Sequence, residues 1–331
     1  MKKLLQDRIY TIGVTIIVVC ILFSIIYPTL FPTFSNFRQV LLNLSIDTIV
    51  ATGMMLLMIS GSFDLSVGAV VAFAGGLAAN LMFFNNTNVF LAVTIALLGA
   101  LTIGFINGYL IAFVGINPMI QTLAMMGIVR GLALLVSGAG IQNLPYWFNA
   151  IGQSKLLGIQ MPVWYMLFTV ALFSFLFAKT VFFRRYYYIG SNEKAAMLSG
   201  IKVKRMKLYG FMITSLLAGI AGILLASRLG AALSTSGKGM ELRVITAVIL
   251  GGASLQGGQG KILGALLGSL FMGIVANIMI IARVSGYWQE IILGIILIVS
   301  ICIDLLLKRG RIGKSQTPQP TPGNKMADTI T

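Results

Sequence analysis

The chain has 331 residues, of which 58% are strongly apolar and only 10% charged, against about 25% charged in an ordinary soluble protein. So little polar surface cannot cover a water-soluble fold. The absence of His excludes a Ser-His-Asp triad, an HExxH zinc site and a haem His ligand. The two cysteines, Cys20 and Cys302, sit inside apolar runs and make no disulfide framework or Cys-rich metal site. The net charge of +16 (24 Lys+Arg, 8 Asp+Glu) is read, in a membrane chain, as basic cytoplasmic loops and not as a nucleic-acid surface.

In chain order, uncharged apolar stretches predict ten helices at 9–30, 43–60, 64–83, 89–113, 118–137, 163–183, 208–229, 242–256, 262–283 and 287–307, a span needing about 20 residues. The first follows Met1-Lys2-Lys3, has no small-x-small cleavage pattern, and reads as a retained helix, not a cleaved signal peptide. The long uncharged run from Leu65 to Val129 must cross repeatedly, turning at Asn85-Asn86-Thr87-Asn88 and at Gly115-Ile116-Asn117-Pro118. With the N-terminus inside, 17 of the 24 basic residues fall on the cytoplasmic side, in clusters at Lys2–Arg8, Lys179–Lys207, Lys261 and Lys308–Lys325. The reading is an all-α polytopic membrane protein with both termini cytoplasmic. It forms one transmembrane domain over 1–307, with a disordered cytoplasmic tail over 308–331 marked by Pro318, Pro320 and Pro322. In that tail Gly310-Arg-Ile-Gly-Lys-Ser315 lacks the first glycine of a phosphate-binding loop, Lys308 standing in its place, so no nucleotide and no other cofactor is expected on this chain.

The segment Asp64–Gly75 lies against Glu241–Gly252 at a constant offset, with Leu65/Leu242, Val67/Val244, Val71/Val248 and Gly75/Gly252 coinciding. After a loop shift, Asn107/Asn277, Ala112/Ala282 and Val129/Val299 coincide as well. By the predicted topology one copy enters the membrane from inside and the other from outside, giving an inverted repeat of helices 2–5 and 7–10, a common construction of transport proteins. Asp64 and Glu241 should then lie on opposite membrane faces.

Polar residues within spans need partners. Asp64, in Ser60-Gly-Ser-Phe-Asp-Leu-Ser-Val-Gly68, reads first as a cap on the helix that follows it. Asp47 reads as lying near the outer interface with Arg38. Arg130 is the conspicuous buried cation, a lock on carbonyls or a solute donor. Asn107, Asn117, Gln121, Thr122 and Asn277 offer neutral donors and acceptors, either to a polyhydroxylated solute or to neighbouring helices. Asp64, Ser66, Asn107, Thr122, Arg130, Glu241 and Asn277 are thus the candidates for a translocation pathway. The cluster Gly251, Gly252, Gly257, Gly258 and Gly260 is too rich in glycine for a plain helix and reads as a broken helix or re-entrant turn.

The basic loop Arg184–Lys207 contains Ser191-Asn-Glu-Lys-Ala-Ala-Met-Leu-Ser199, a short capped amphipathic helix stopped by Gly200. It suits a docking surface or an interfacial helix on anionic lipid. Gly190–Ile201 with its basic flank, Ser60–Gly68, Gly104-Phe-Ile-Asn-Gly108, Met126-Gly-Ile-Val-Arg-Gly131, Gly239-Met-Glu-Leu and Gly251–Gly260 run in order over nearly the whole chain. Together they resemble the permease subunits of bacterial ribose-type ABC importers, which serve simple sugars or autoinducer-2.

The resemblance implies a noncatalytic subunit of the bacterial cytoplasmic (inner) membrane. Its partners would be a second permease chain, identical or paralogous, cytoplasmic ATPase subunits that bind ATP-Mg, and a periplasmic or lipid-anchored sugar-binding protein. Gly190, Asn192, Ala195, Ala196, Ser199, Gly200 and Ile201 would form the ATPase-coupling element. Ser62, Phe63 and Arg243 depart from the family pattern, which leaves the class intact and the substrate open. The competing class is an ion-coupled secondary transporter of a small polar solute, supported by the inverted repeat and by Asp47, Asp64 and Arg130; only the departures at Ser62, Phe63 and Arg243 could supply its coupling-ion site.

Overall fold

A computed structural model of the protein describes residues 8–315. Among them the chain is almost wholly helical. The elements are α1 (Arg8–Ile26), α2 (Phe34–Ile59), α3 (Val67–Phe84), α4 (Val89–Tyr109, extended by a π-helical turn Leu110–Val114), α5 (Pro118–Ser137), α6 (Tyr146–Gln153), α7 (Met161–Lys179), α8 (Val181–Ser191), α9 (Glu193–Leu198), α10 (Val203–Leu229), α11 (Met240–Leu250), α12 (Ile262–Ile281) and α13 (Gly286–Ser315). Two-residue ladders β1/β4 (Ile141–Gln142 with Ala231–Ala232) and β2/β3 (Lys155–Leu156 with Ile159–Gln160) tie the connections around α6.

Among the described residues, eight helices are long and apolar enough to cross a membrane: α1, α2, α3, α4 with its π turn, α5, α7, α10 and α12. Two of the ten expected spans differ. The one placed at 242–256 is helical only over the 11 residues Met240–Leu250, roughly 16 Å at 1.5 Å per residue. That is about half a bilayer core. It stops because Gly251 and Gly252 end the helix and a glycine turn follows, as the glycine cluster foretold. The last helix runs to Ser315, past Lys308 where the tail was expected to begin, since nothing before Pro318 forbids helix. The rest of the expected tail, 316–331, lies outside the described residues.

Helix starts follow local chemistry. Asn88 Oδ1 accepts from Leu91 N at 2.8 Å and Asn117 Oδ1 from Met119 N at 2.9 Å, so both expected turns are closed by an Asn N-cap, the second with Pro118 at the first helical position. Gly115 carries the positive φ of 90° that lets the chain leave α4.

Lipid supplies no hydrophobic drive between helices, so close packing must come from small residues. The central helix α10 meets α4 where Gly104 faces Phe211 and Ser215, and Gly108 faces Leu208; it meets α3 where Gly222 lies on the Val71 backbone. Helix α2 runs antiparallel to α10, with Gly53 against Thr214 and Asn43 against Arg228. The other half repeats the plan: α2 packs on α12, with Gly273 against Leu44, and on α11, while α11 packs on α12 where Gly251 meets Gly264 and Gly268 meets Ala247. The pairings α10–α4, α10–α3, α3–α4 and α3–α5 thus recur as α2–α12, α2–α11, α11–α12 and α11–α13. This recurrence, with α2 and α10 antiparallel, matches the inverted repeat of helices 2–5 and 7–10.

One consequence drawn from the repeat is overturned. The carbonyl oxygen of Gly237 and the carboxylate of Glu241 occupy the space a Cβ at Gly68 would need. The first turns of α3 and α11 therefore abut, and the segments headed by Asp64 and Glu241 do not open on opposite faces. Helix α3 follows a mostly buried irregular stretch, and α11 a half-buried one in which Thr235 and Lys238 are exposed.

A Cβ at Gly104 would come within 2.7 Å of the Phe211 carbonyl oxygen and the Ser215 Cβ. Gly104→Val should therefore cost about 1–3 kcal/mol by overpacking and lower the Tm in detergent by several degrees. Gly13→Val on α1, where a Cβ meets nothing within 4 Å, should leave the Tm unchanged.

Candidate functional site

The irregular chain between α2 and α3 carries Asp64, fully buried. Its Oδ1 accepts from the Ser66 backbone N–H at 2.7 Å and from Ser66 Oγ at 2.6 Å; these bonds stop one residue short of α3, whose first amides donate to no side-chain cap, so the expected cap is not made. Ser66 Oγ in turn accepts from Asn107 Nδ2 at 3.1 Å, and Asn107 Oδ1 accepts from Gln121 Nε2 at 3.2 Å. A buried polar chain thus links α3, α4 and α5. Asp64 Oδ2 has no partner in it.

The other pathway candidates fall into two groups. Thr122, fully buried, donates to the Pro118 carbonyl at 2.8 Å within its own helix. Asn277 exchanges hydrogen bonds with Asn36 at 2.7 and 3.1 Å, which clamps α12 to α2. Arg130 and Glu241 instead border one cavity of about 590 Å³. Its α5 wall is the stripe Met126, Gly127, Arg130, Gly131 and Leu134, and the connection from α10 to α11 faces it, bringing Lys238. Arg130 Nη1 donates to the carbonyls of Ser234 at 3.0 Å and Ser236 at 2.7 Å. It therefore locks α5 to that connection through carbonyls, one of the two roles its sequence position allowed.

Asp47 does not pair with Arg38. Its Oδ2 accepts from Arg243 Nε at 3.2 Å. Arg38 lies instead over the Phe34 ring, 5.9 Å from its centroid. The departure from the family pattern at Arg243 is therefore balanced by an acid on α2, since a charge in this setting needs a counter-charge.

The basic loop folds into α8, α9 and the start of α10. Asn192 caps α9, accepting from Ala195 N at 3.0 Å, and Lys207 bonds Glu193 at 2.7 Å. Ala195 and Ser199 are exposed, Ile201 is half-buried, and Gly200 ends the turn at φ 81° in open space. Ala196 is buried, so it anchors α9 and does not face outward. What α9 presents is Leu198, 91% exposed, and Met197 beside it. Sequence reasoning passed over both, although an apolar pair in a strongly basic loop is a signal of its own.

Gly190 has no room for a side chain, because the Ile59 carbonyl and the Gly258 amide fill the space. The Gly258 N–H donates to the Ile59 carbonyl at 2.8 Å, and the Tyr187 hydroxyl donates to the Gly260 carbonyl at 2.8 Å. The Tyr186 hydroxyl, buried, donates to the Met206 carbonyl at 2.9 Å. Burial pushes its phenol well above the usual tyrosine range, which keeps it a neutral donor. The helix α8 that leads into α9 is thus fastened to the glycine turn after α11.

A bundle of apolar spanning helices built as an inverted repeat, with one half-length helix, a largely apolar cavity bordered by Arg130 and Glu241, and a basic loop that presents an apolar tip, defines a multi-pass membrane permease. The family described as branched-chain amino acid transport system / permease component matches residues 36–301, and the chain belongs to it. It is similar to the ribose import permease protein RbsC of Bacillus subtilis (strain 168), 36% identical over 90% of this chain and 96% of the relative. The L-arabinose ABC transporter permease protein AraH of Azospirillum brasilense is 37% identical over 86% of each chain. The L-arabinose transport system permease protein AraH of Escherichia coli (strain K12) is 38% identical over 83% of this chain and 84% of the relative. No solved structure matches significantly. The chain is accordingly a noncatalytic permease subunit of the ABC type.

The Asp47–Arg243 pair is the clearest energetic link between the halves, both side chains being about a third exposed at 28% and 31%. In a cycle of Asp47→Asn, Arg243→Gln and the double variant, melting in detergent should yield a favourable coupling of about 0.5–3 kcal/mol. Additive effects would show that the pair contributes nothing beyond its contacts with other groups.

Proposed function

We propose that the chain is the membrane-spanning permease of an ATP-driven importer that translocates a simple sugar, a ribose-type pentose or hexose. A solute-binding protein, periplasmic or lipid-anchored, hands the sugar over. Two permease chains, identical or paralogous, form the pathway in the bacterial cytoplasmic membrane, with both termini cytoplasmic. Separate ATPase subunits bind ATP-Mg and dock on α9. The sugar class is supported by relatives named for ribose and for L-arabinose.

The observation that carries the coupling role is the exposed Leu198 at the end of a capped helix whose stem is pinned to the bundle through Gly190. An apolar side chain so exposed among basic residues is covered by little of the described chain, and an apolar anchor in a pocket is what dominates protein interfaces.

Purified from its native membrane in mild detergent, the wild-type chain should bring an ATPase subunit with it. Leu198→Asp should lose most of that subunit while keeping its Tm, since the side chain touches little of its own chain. Ala196→Glu should lose the subunit and the local fold together, because Ala196 is buried. Undiminished capture by Leu198→Asp would refute docking on α9, and capture of no ATPase by the wild type would refute the importer reading.

A further inference from the structure

Helix α4 carries an aromatic row on its outer face. Phe105, Tyr109 and Phe113 follow one another at i and i+4, the spacing that sets side chains one above the other on a helix, and they are 45, 46 and 41% exposed. Their rings stack, Phe105 on Tyr109 with 6.0 Å between centroids and 22° between planes, and Tyr109 on Phe113 with 5.3 Å and 20°. An α-helix rotates such a row by about 40° every four residues, so a third ring would drift out of line. The π turn Leu110–Val114 offsets that drift. Its i→i+5 bonds wind the chain less per residue, and π turns are frequent at functional sites.

The result is a continuous apolar strip from Phe105 to Phe113, about 12 Å long at the helical rise. Contact with lipid tails alone does not call for stacked rings. On α1 the exposed large side chains between Val14 and Ile26 are all aliphatic.

The strip ends on a cation. Lys204, exposed at the start of α10, holds its ammonium 5.9 Å from the centroid of the Phe113 ring, within cation–π range. Arg205 beside it is exposed as well. The acid that reaches this end of α10, Glu193, is taken by Lys207. Neither Lys204 nor Arg205 has an ion pair among the described residues. Uncompensated cations at the end of a spanning helix attract anionic lipid headgroups.

We propose that this face binds one anionic phospholipid, from the leaflet that meets the basic ends of α8 and α10. Lys204 and Arg205 hold its phosphate, and an acyl chain lies along Phe105, Tyr109 and Phe113. A zwitterionic lipid offers the same chains but brings a further positive charge to two cations, so the site selects by headgroup charge. Because Lys204 belongs to α10 and the rings to α4, the bound lipid clamps the two helices together near the contact of Gly108 with Leu208.

Native mass spectrometry of the full-length permease, released from detergent with added dioleoyl phosphatidylglycerol or dioleoyl phosphatidylcholine, tests the site. At equal lipid concentration the wild type should retain the glycerol lipid at least threefold more than the choline lipid. Lys204→Gln with Arg205→Gln should abolish that preference, and Tyr109→Leu with Phe113→Leu should lower retention of the glycerol lipid at least threefold, each at unchanged helical content. Lys179→Gln, exposed at the same end of α7 but under no stacked rings, should change nothing. Equal retention of the two lipids by the wild type overturns the proposal, as does a loss in Lys179→Gln as large as in the Lys204 and Arg205 variant, which would mark diffuse attraction to basic loops. Full retention by the Tyr109 and Phe113 variant overturns it too. With p-benzoylphenylalanine in place of Phe105, illumination of native membranes should attach phospholipid; attachment to a second copy of the chain would assign the strip to contact between chains and overturn the lipid site.

Discussion

Backbone that leaves the helical state inside an apolar bundle must still pair its N–H and C=O groups, because lipid offers none and each lost pair costs several kcal/mol. This chain unwinds between α2 and α3, where Ser60, Ser62, Asp64 and Ser66 are all buried, and again in the glycine turn between α11 and α12. The two stretches help to satisfy each other. The Gly258 amide bonds the Ile59 carbonyl, and a Cβ at Gly257 would run into Gly61 and Gly190 at 2.8 Å. Side chains would push these three backbones apart and leave the bond unmade.

That junction positions the functional parts. Helix α8 ends in it through Gly190, so α9 and its exposed Leu198 hang from the bundle at a fixed place. Helix α11 ends in it as well, through Gly251 and Gly252, and only 11 residues separate this end from the end that carries Glu241 at the cavity. The junction that holds Gly190 and the cavity bordered by Glu241 therefore lie toward opposite ends of α11. Arg130 closes the cavity end by holding the carbonyls of Ser234 and Ser236.

The halves of the molecule meet through small residues and a few polar contacts. Gly53 admits Thr214, whose hydroxyl donates to the Gly53 carbonyl at 2.9 Å, and Arg228 bonds Asn43 across the same pair of helices at 2.7 Å. Asp47 and Arg243 add an ion pair between α2 and α11. Bonds of this kind contribute modestly in membrane proteins, about 0.6 kcal/mol on average in measured cases. The glycine contacts, repeated along α3, α4, α10, α11 and α12, carry correspondingly more of the packing.

Composition and charge spacing determined by themselves that the chain is a helical membrane protein, because the lengths of uncharged runs are imposed by bilayer thickness. The Asn and Pro turns and the broken helix at Gly251–Gly260 were legible for the same reason: each depends on residues adjacent in sequence. Arg130 was legible as a cation in need of partners, but the partners lie 104 and 106 residues further along, and no local rule names them. Only the tertiary structure decided that Asp47 answers Arg243 and not Arg38, that α3 and α11 begin side by side, and that Ala196 points inward while Leu198 points out. These are outcomes of helices meeting at particular rotations, fixed by where glycines let backbones touch, and that meeting is a property of pairs of segments and not of either one alone.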